Sequence, residues 1–266
     1  MINAEIYTEL LPYPGRGERK VWIYVPKHND GDTLPVVYMT DGQNLFDDNA
    51  TPYGSWEVVK AVEQEQKNGL SGAVIVGIDN GNIWRDSELT PKCIGEIQLR
   101  HMLADNFTPE GEMFDDFVMN TVIPYVESHY PVKTDRNNTA VCGSSSGGLM
   151  AFYLGIEHSE KFSIVGAFSP AFLCYTESDW RKYLINKITG EMPYMYIYTG
   201  SGDELEQMIF ESVEMMYDLL PEAGYPYHMM NEIILFEKPH NEAAWREMFP
   251  DFLHTYLDLQ GGKNLC

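Results

Sequence analysis

Thr139-Ala140-Val141-Cys142-Gly143-Ser144-Ser145-Ser146-Gly147-Gly148-Leu149-Met150-Ala151-Phe152-Tyr153-Leu154-Gly155 is the stretch whose reading decides the fold. Residues 139–142 read as a short buried strand, and residues 148–155 as a helix packed on one face. Between them Gly143, Ser145 and Gly147 set out G-x-S-x-G, the spacing of a turn so tight that only small neighbours fit beside the serine. Such a turn lifts the Ser145 hydroxyl above the sheet edge. It also aims the first N–H groups of the helix at any oxygen lying over it. The context predicts a nucleophile at Ser145.

A serine hydroxyl is a poor nucleophile until a base takes its proton, so an imidazole and a carboxylate are expected elsewhere. The chain has seven histidines. In α/β-hydrolases the order is Ser, acid, His, which disfavours His28, His101 and His129. His158 and His254 fall on helix-like segments, and His228 precedes the last strand, at its wrong end. His240 directly follows the strand at 232–236 and opens a loop before the helix at 242–257, so it is the expected base. The acid is sought where the strand at 195–198 breaks, in Thr199-Gly200-Ser201-Gly202-Asp203-Glu204. Asp203 is preferred to Glu204, because Gly200 and Gly202 free the backbone to turn it inward. Glu204 suits the first turn of the next helix. For the oxyanion, the expected donors are the N–H groups of Ser146, directly after the nucleophile, and of Gln43. Gln43 lies in the loop Asp41-Gly42-Gln43-Asn44-Leu45-Phe46 that follows the strand at 36–40.

Elsewhere, residues 5–11 and 20–25 read as an antiparallel edge, 56–66 as a helix and 73–78 as a strand. The irregular loop 79–109 is expected to wall the site. Residues 116–130 read as an amphipathic helix, 162–168 as a strand, 172–192 as a small helical insert and 206–222 as a long helix. Strands alternating with helices predict the α/β class, with a mostly parallel central sheet covered by helices on both faces. We expect one domain over 1–266. Trp56, Phe172 and Trp180 are candidates for an aromatic-lined substrate groove, and Asp41 for a polar substrate contact.

The chain has 266 residues, 40 of them acidic and 18 basic, for a formal charge of −22. That argues against nucleic acid, anionic membranes and polyanionic substrates as partners, and for a neutral or weakly charged small-molecule substrate. No apolar run approaches membrane-spanning length. The opening Met1-Ile2-Asn3-Ala4-Glu5 lacks the pattern of a secretory leader, so a cytoplasmic location is expected. Cys93, Cys142, Cys174 and Cys266 have no metal-type spacing, and neither a metal nor another cofactor is expected.

Three motifs, Asp41-Gly42-Gln43-Asn44-Leu45-Phe46-Asp47, Gly143-Ser144-Ser145-Ser146-Gly147-Gly148 and Pro239-His240-Asn241-Glu242-Ala243-Ala244-Trp245-Arg246, together resemble the putative esterase family. That group includes esterase D, enterochelin-esterase-like hydrolases and the feruloyl and acetylxylan esterases. The resemblance implies an α/β-hydrolase fold, a nucleophile at Ser145, an acid at Asp203 within Gly200-x-x-Asp203, and a base at His240. The activity it implies is hydrolysis of carboxylic esters through an acyl-enzyme, with an acetyl or feruloyl carbohydrate ester as the expected substrate. Acyl transfer and siderophore-ester hydrolysis are the alternatives. Two departures stand out: Ser146 occupies a position where many relatives have Met, and Ser169-Pro170-Ala171-Phe172 lacks the tryptophans often found there.

Overall fold

The computed structural model describes residues 1–98 and 107–260; His101, Cys266 and residues 99–106 of the expected site-wall loop lie outside the described residues. The chain opens with β1 (Glu5–Pro12) and β2 (Glu18–Val25), an antiparallel pair. Then come β3 (Val36–Thr40), β4 (Val74–Ile78), β5 (Thr139–Ser144), β6 (Ile164–Phe168) and β7 (Tyr194–Thr199), each buried at every position. Burial on both faces is what continuous apolar runs demand of parallel strands, and β3 to β7 pair in parallel. Edge strand β8 (Met230–Ile234) is only half-buried.

The strand order is β1-β2-β4-β3-β5-β6-β7-β8. From β3 the chain runs outward to one side through β4 and to the other through β5. The crevice above the carboxyl ends of β3 and β5 is therefore the topological switch point, where open α/β sheets take their ligands. Ser145 follows β5, directly at that point.

Period-two alternation sorts the strand side chains onto two faces. Val36, Tyr38, Val74, Val76, Val141 and Val165 join one core, and Val37, Met39, Ile75, Ala140 and Cys142 the other. The second core is closed by α2 (Val58–Lys67) and α9 (Glu242–Gln260), which follow the short α1 (Gln43–Phe46) and the last strand respectively. The first is closed by α4 (Gly111–Phe117), α5 (Ile123–His129), α6 (Ser146–Glu157), α7 (Glu177–Lys187) and α8 (Glu204–Glu222), while α3 (Arg85–Glu88) sits beyond β4. The helix expected over 116–130 starts earlier, and a π-helical stretch at Val118–Val122 joins α4 to α5. Pro124 lacks an N–H and crowds the carbonyl four residues back, and the wider turn accommodates both effects.

Residues 172–192, expected as an insert, form the crossover that two adjacent parallel strands require, linking β6 to β7. A capping box of Thr176 and Asp179 starts α7. Trp180 has no exposed surface, meets Phe152 and Phe172 edge-on at 5.7 and 5.4 Å, and donates its Nε1–H to the Phe172 carbonyl at 2.8 Å. Phe172 is equally buried, and Trp56 lies among Phe168, Trp245 and Phe249. These three aromatics, read from the sequence as groove-lining, are core residues. Large rings bury the most apolar area per side chain, and here the core takes them.

Candidate active site

Ser145 stands between β5 and α6 with φ 58° and ψ −125°, backbone angles that an L residue rarely adopts. Its neighbours hold it there. The Ser145 N–H donates to the Phe168 carbonyl at 2.9 Å, and its own carbonyl accepts from Ala171 and Leu149 at 3.1 and 3.0 Å. A methyl group at Gly143 or Gly147 would overlap the Thr40 hydroxyl, which is why both flanking positions are glycine. The elbow is thus wedged directly against the end of β3.

His240 lies on the loop after β8, its side chain 11% exposed, and its Nδ1–H donates to Glu206 Oε2 at 2.5 Å. That bond fixes the tautomer and leaves Nε2 with the lone pair. Glu206 is fully buried, and its other oxygen accepts from the Gly200 N–H and the Ser169 hydroxyl, both at 2.6 Å, with Thr199 Oγ1 at 3.3 Å. The imidazole therefore faces Glu206, not Asp203, the residue favoured from the sequence, nor the exposed Glu204.

Asp203 does something else. One of its oxygens accepts from the Glu206 N–H at 2.8 Å and so caps α8, while the other accepts from the main-chain N–H of His240 at 2.7 Å. Burial alone would raise this carboxyl. The N–H groups of His240 and Glu206, then the pull of the His240 ring whenever it is protonated and the Leu205 N–H, outweigh burial and hold it below the usual carboxylate range. The sequence does carry a signal for the capping role of Asp203. Asp203-Glu204-Leu205-Glu206 has the spacing of a capping box, which marks Asp203 as the N-cap; the Glu206 carboxylate goes instead to Gly200, Ser169 and His240.

Across the site, Asp41 directly follows β3 with φ 56° and is 5% exposed. Arg85 grips it with Nε and Nη2 at 2.7 and 2.8 Å, and Asn80 donates to it at 2.6 Å. This carboxylate, expected to touch substrate, is spent inside the protein. Arg85 also reaches the Ser144 carbonyl and Asp86, both at 3.3 Å, and Asp86 accepts from the Ser146 hydroxyl at 3.0 Å. Burial works against the Arg85 charge, but Asp41, Asp86 and Glu242 more than offset it and hold the guanidinium above its ordinary range. Arg85 thereby ties three segments together: the end of β3, helix α3 and the elbow. Ser146 and Gln43 both open helices, α6 and α1, and Gln43 Oε1 accepts from the Asn80 N–H at 3.2 Å. Gly42 packs so closely on Gly77 that no side chain would fit.

The other described histidines are held elsewhere. His158 bonds Asp115 at 2.6 Å, His254 bonds Glu65 at 2.8 Å, and His28 and His129 bond main-chain carbonyls. His228 sits on the short turn before β8.

Comparison with known proteins places this geometry in context. The family described as Putative esterase matches residues 15–256. Among solved structures, a ferulic acid esterase superposes with a TM-score of 0.70 at 18% identity, covering 97% of this chain and all of that one. The siderophore hydrolase EstA from Aspergillus nidulans gives 0.74 at 17%, covering 97% and 95%. The enterobactin esterase FES from Shigella flexneri gives 0.72 at 20%; it is matched over 98% of this chain but 59% of its own. At these identities the likeness is one of fold.

Proposed function

Because the chain belongs to the Putative esterase family, we propose that it hydrolyses carboxylic esters through an acyl intermediate on Ser145, with His240 as base and Glu206 as the acid behind it. The observation that carries this reading is the strained Ser145 at the switch point, together with an imidazole whose Nδ1 is committed to a buried carboxylate. His240 Nε2 takes the Ser145 proton as Oγ attacks the ester carbon. The N–H groups of Ser146 and Gln43 receive the oxyanion, and Glu206 stabilises the imidazolium. Collapse returns the proton to the departing alcohol. Water then repeats the sequence against the acyl-enzyme and releases the acid.

We read the substrate as an uncharged carbohydrate ester. The formal charge of −22 and the half-exposed Asp86 beside Ser146 disfavour anionic esters, which weighs against an iron-laden siderophore. With Trp56, Phe172 and Trp180 in the core, those positions supply no aromatic slot, which favours acetyl over feruloyl as the acyl group. The test is a rate comparison on acetylated xylo-oligosaccharide and methyl ferulate, with a fluorophosphonate probe mapped by mass spectrometry. Acetyl release with the probe on Ser145 supports the reading. Label elsewhere, or hydrolysis of neither ester, contradicts it.

A further inference from the structure

Ser169, the first residue after β6, is fully buried and holds φ 41°, in the left-handed region that favours glycine. Its N–H is anchored to the Tyr198 carbonyl at 2.6 Å. Its hydroxyl lies between two partners, Trp245 Nε1 at 2.9 Å and Glu206 Oε1 at 2.6 Å. An indole N–H can only donate, so Ser169 Oγ accepts from Trp245 and must turn its own proton toward Glu206. With the Gly200 N–H on the same oxygen at 2.6 Å, Oε1 is occupied and Oε2 is left to the imidazole. The Trp245 ring also meets the His240 ring edge-on, at 5.1 Å and 89°. One indole therefore braces the base and orders the hydroxyl that holds the acid.

We propose that Ser169, backed by Trp245, is a positioning residue that fixes the Glu206 carboxylate so that Oε2 faces His240 Nδ1. Neither side chain needs to touch substrate. The kinetic consequence rests on the esterase reading above; the geometric claim does not. It also accounts for a serine where glycine would sit more easily: the hydroxyl is needed, and the backbone bears the strain.

The test is Ser169→Gly, which suits the positive φ and removes the hydroxymethyl group that carries the hydrogen bonds. We expect a kcat on p-nitrophenyl acetate lower by about tenfold or more, as loss of a hydrogen bond to a charged group implies, and an unchanged KM. Trp245→Phe keeps a ring in place but lacks the donor, and should lower kcat in the same sense but less. The readout independent of turnover is the far-downfield proton resonance of His240 Nδ1–H, which should shift or vanish in Ser169→Gly. Wild-type kcat and an unmoved proton signal in that variant would overturn the proposal. Were the wild-type protein inert on the ester, the esterase reading would fail, while the proton signal would still decide the positioning role: moved upholds it, unmoved refutes it.

Discussion

On the β6–β8 side of Ser145 the buried carboxylate of Glu206 meets Ser169, Gly200, Thr199 and the imidazole, whereas on the β3–β4 side the buried carboxylate of Asp41 is clasped by the Arg85 guanidinium. Neutral donors solvate a charge without cancelling it, so the Glu206 charge remains available to an imidazolium. A bidentate guanidinium cancels it. That matters on the β3 side, where the proposed oxyanion would form next to Asp41 and an uncompensated negative charge would oppose it through a low-dielectric interior. The two arms use the same residue chemistry to opposite ends: one preserves a negative charge, the other removes its field.

Each arm can be broken separately. The largest effect belongs to Ser145→Ala, which removes the group both arms serve; ester hydrolysis should fall by about four orders of magnitude or more in a steady-state assay. Next is Arg85→Gln, which leaves Asp41 buried and uncompensated. We expect stability to drop by about 3 kcal/mol in chemical denaturation and kcat to fall roughly tenfold or more by the charge argument. The double variant Asp41→Asn/Arg85→Gln removes both charges and should recover much of that rate, a coupling that a simple packing role would not produce. The smallest effect concerns Asp203. Its carboxyl is held low in the folded protein, so its contribution to stability is present above the usual carboxylate range and is lost as pH falls through the folded value. The stability gap between wild type and Asp203→Asn, followed by denaturation from pH 7 down to 3, should therefore be widest near neutrality and close below about pH 4. A gap that widened on acidification would reverse the sign.

Much of this was legible from residue pattern. The parallel strands are continuous apolar runs, and the elbow carries its own spacing, so the sheet, Ser145 and His240 could be placed from local signals. What could not be read depends on contacts distant in sequence. Trp180 is a core residue because Phe152 and Phe172 close on it, and no local pattern distinguishes that from a ring facing a groove. Asp41 looks like a free acid beside a glycine until Arg85, forty-four residues on, folds back onto it. The segment at 172–192 resembled an insert because a polar helix between two strands reads the same whether it crosses over or protrudes. The choice between Asp203 and Glu206 is a different case. There the strand break at 199–204 pointed to Asp203 and Glu204, whereas Glu206, one turn into α8, reaches the imidazole because Gly200 and Ser169 hold its other oxygen.

Glu206 stands behind the imidazole while Asp203 serves the backbone, and kcat of Glu206→Gln and Asp203→Asn, taken side by side on p-nitrophenyl acetate, separates the two roles. Each replacement keeps shape and removes charge. We expect a loss of about a thousandfold or more for Glu206→Gln, as when the carboxylate behind a catalytic imidazole is neutralised, and a change within about tenfold for Asp203→Asn, whose amide oxygen can still cap α8. The reverse pattern, with Asp203→Asn crippled and Glu206→Gln nearly normal, would contradict it.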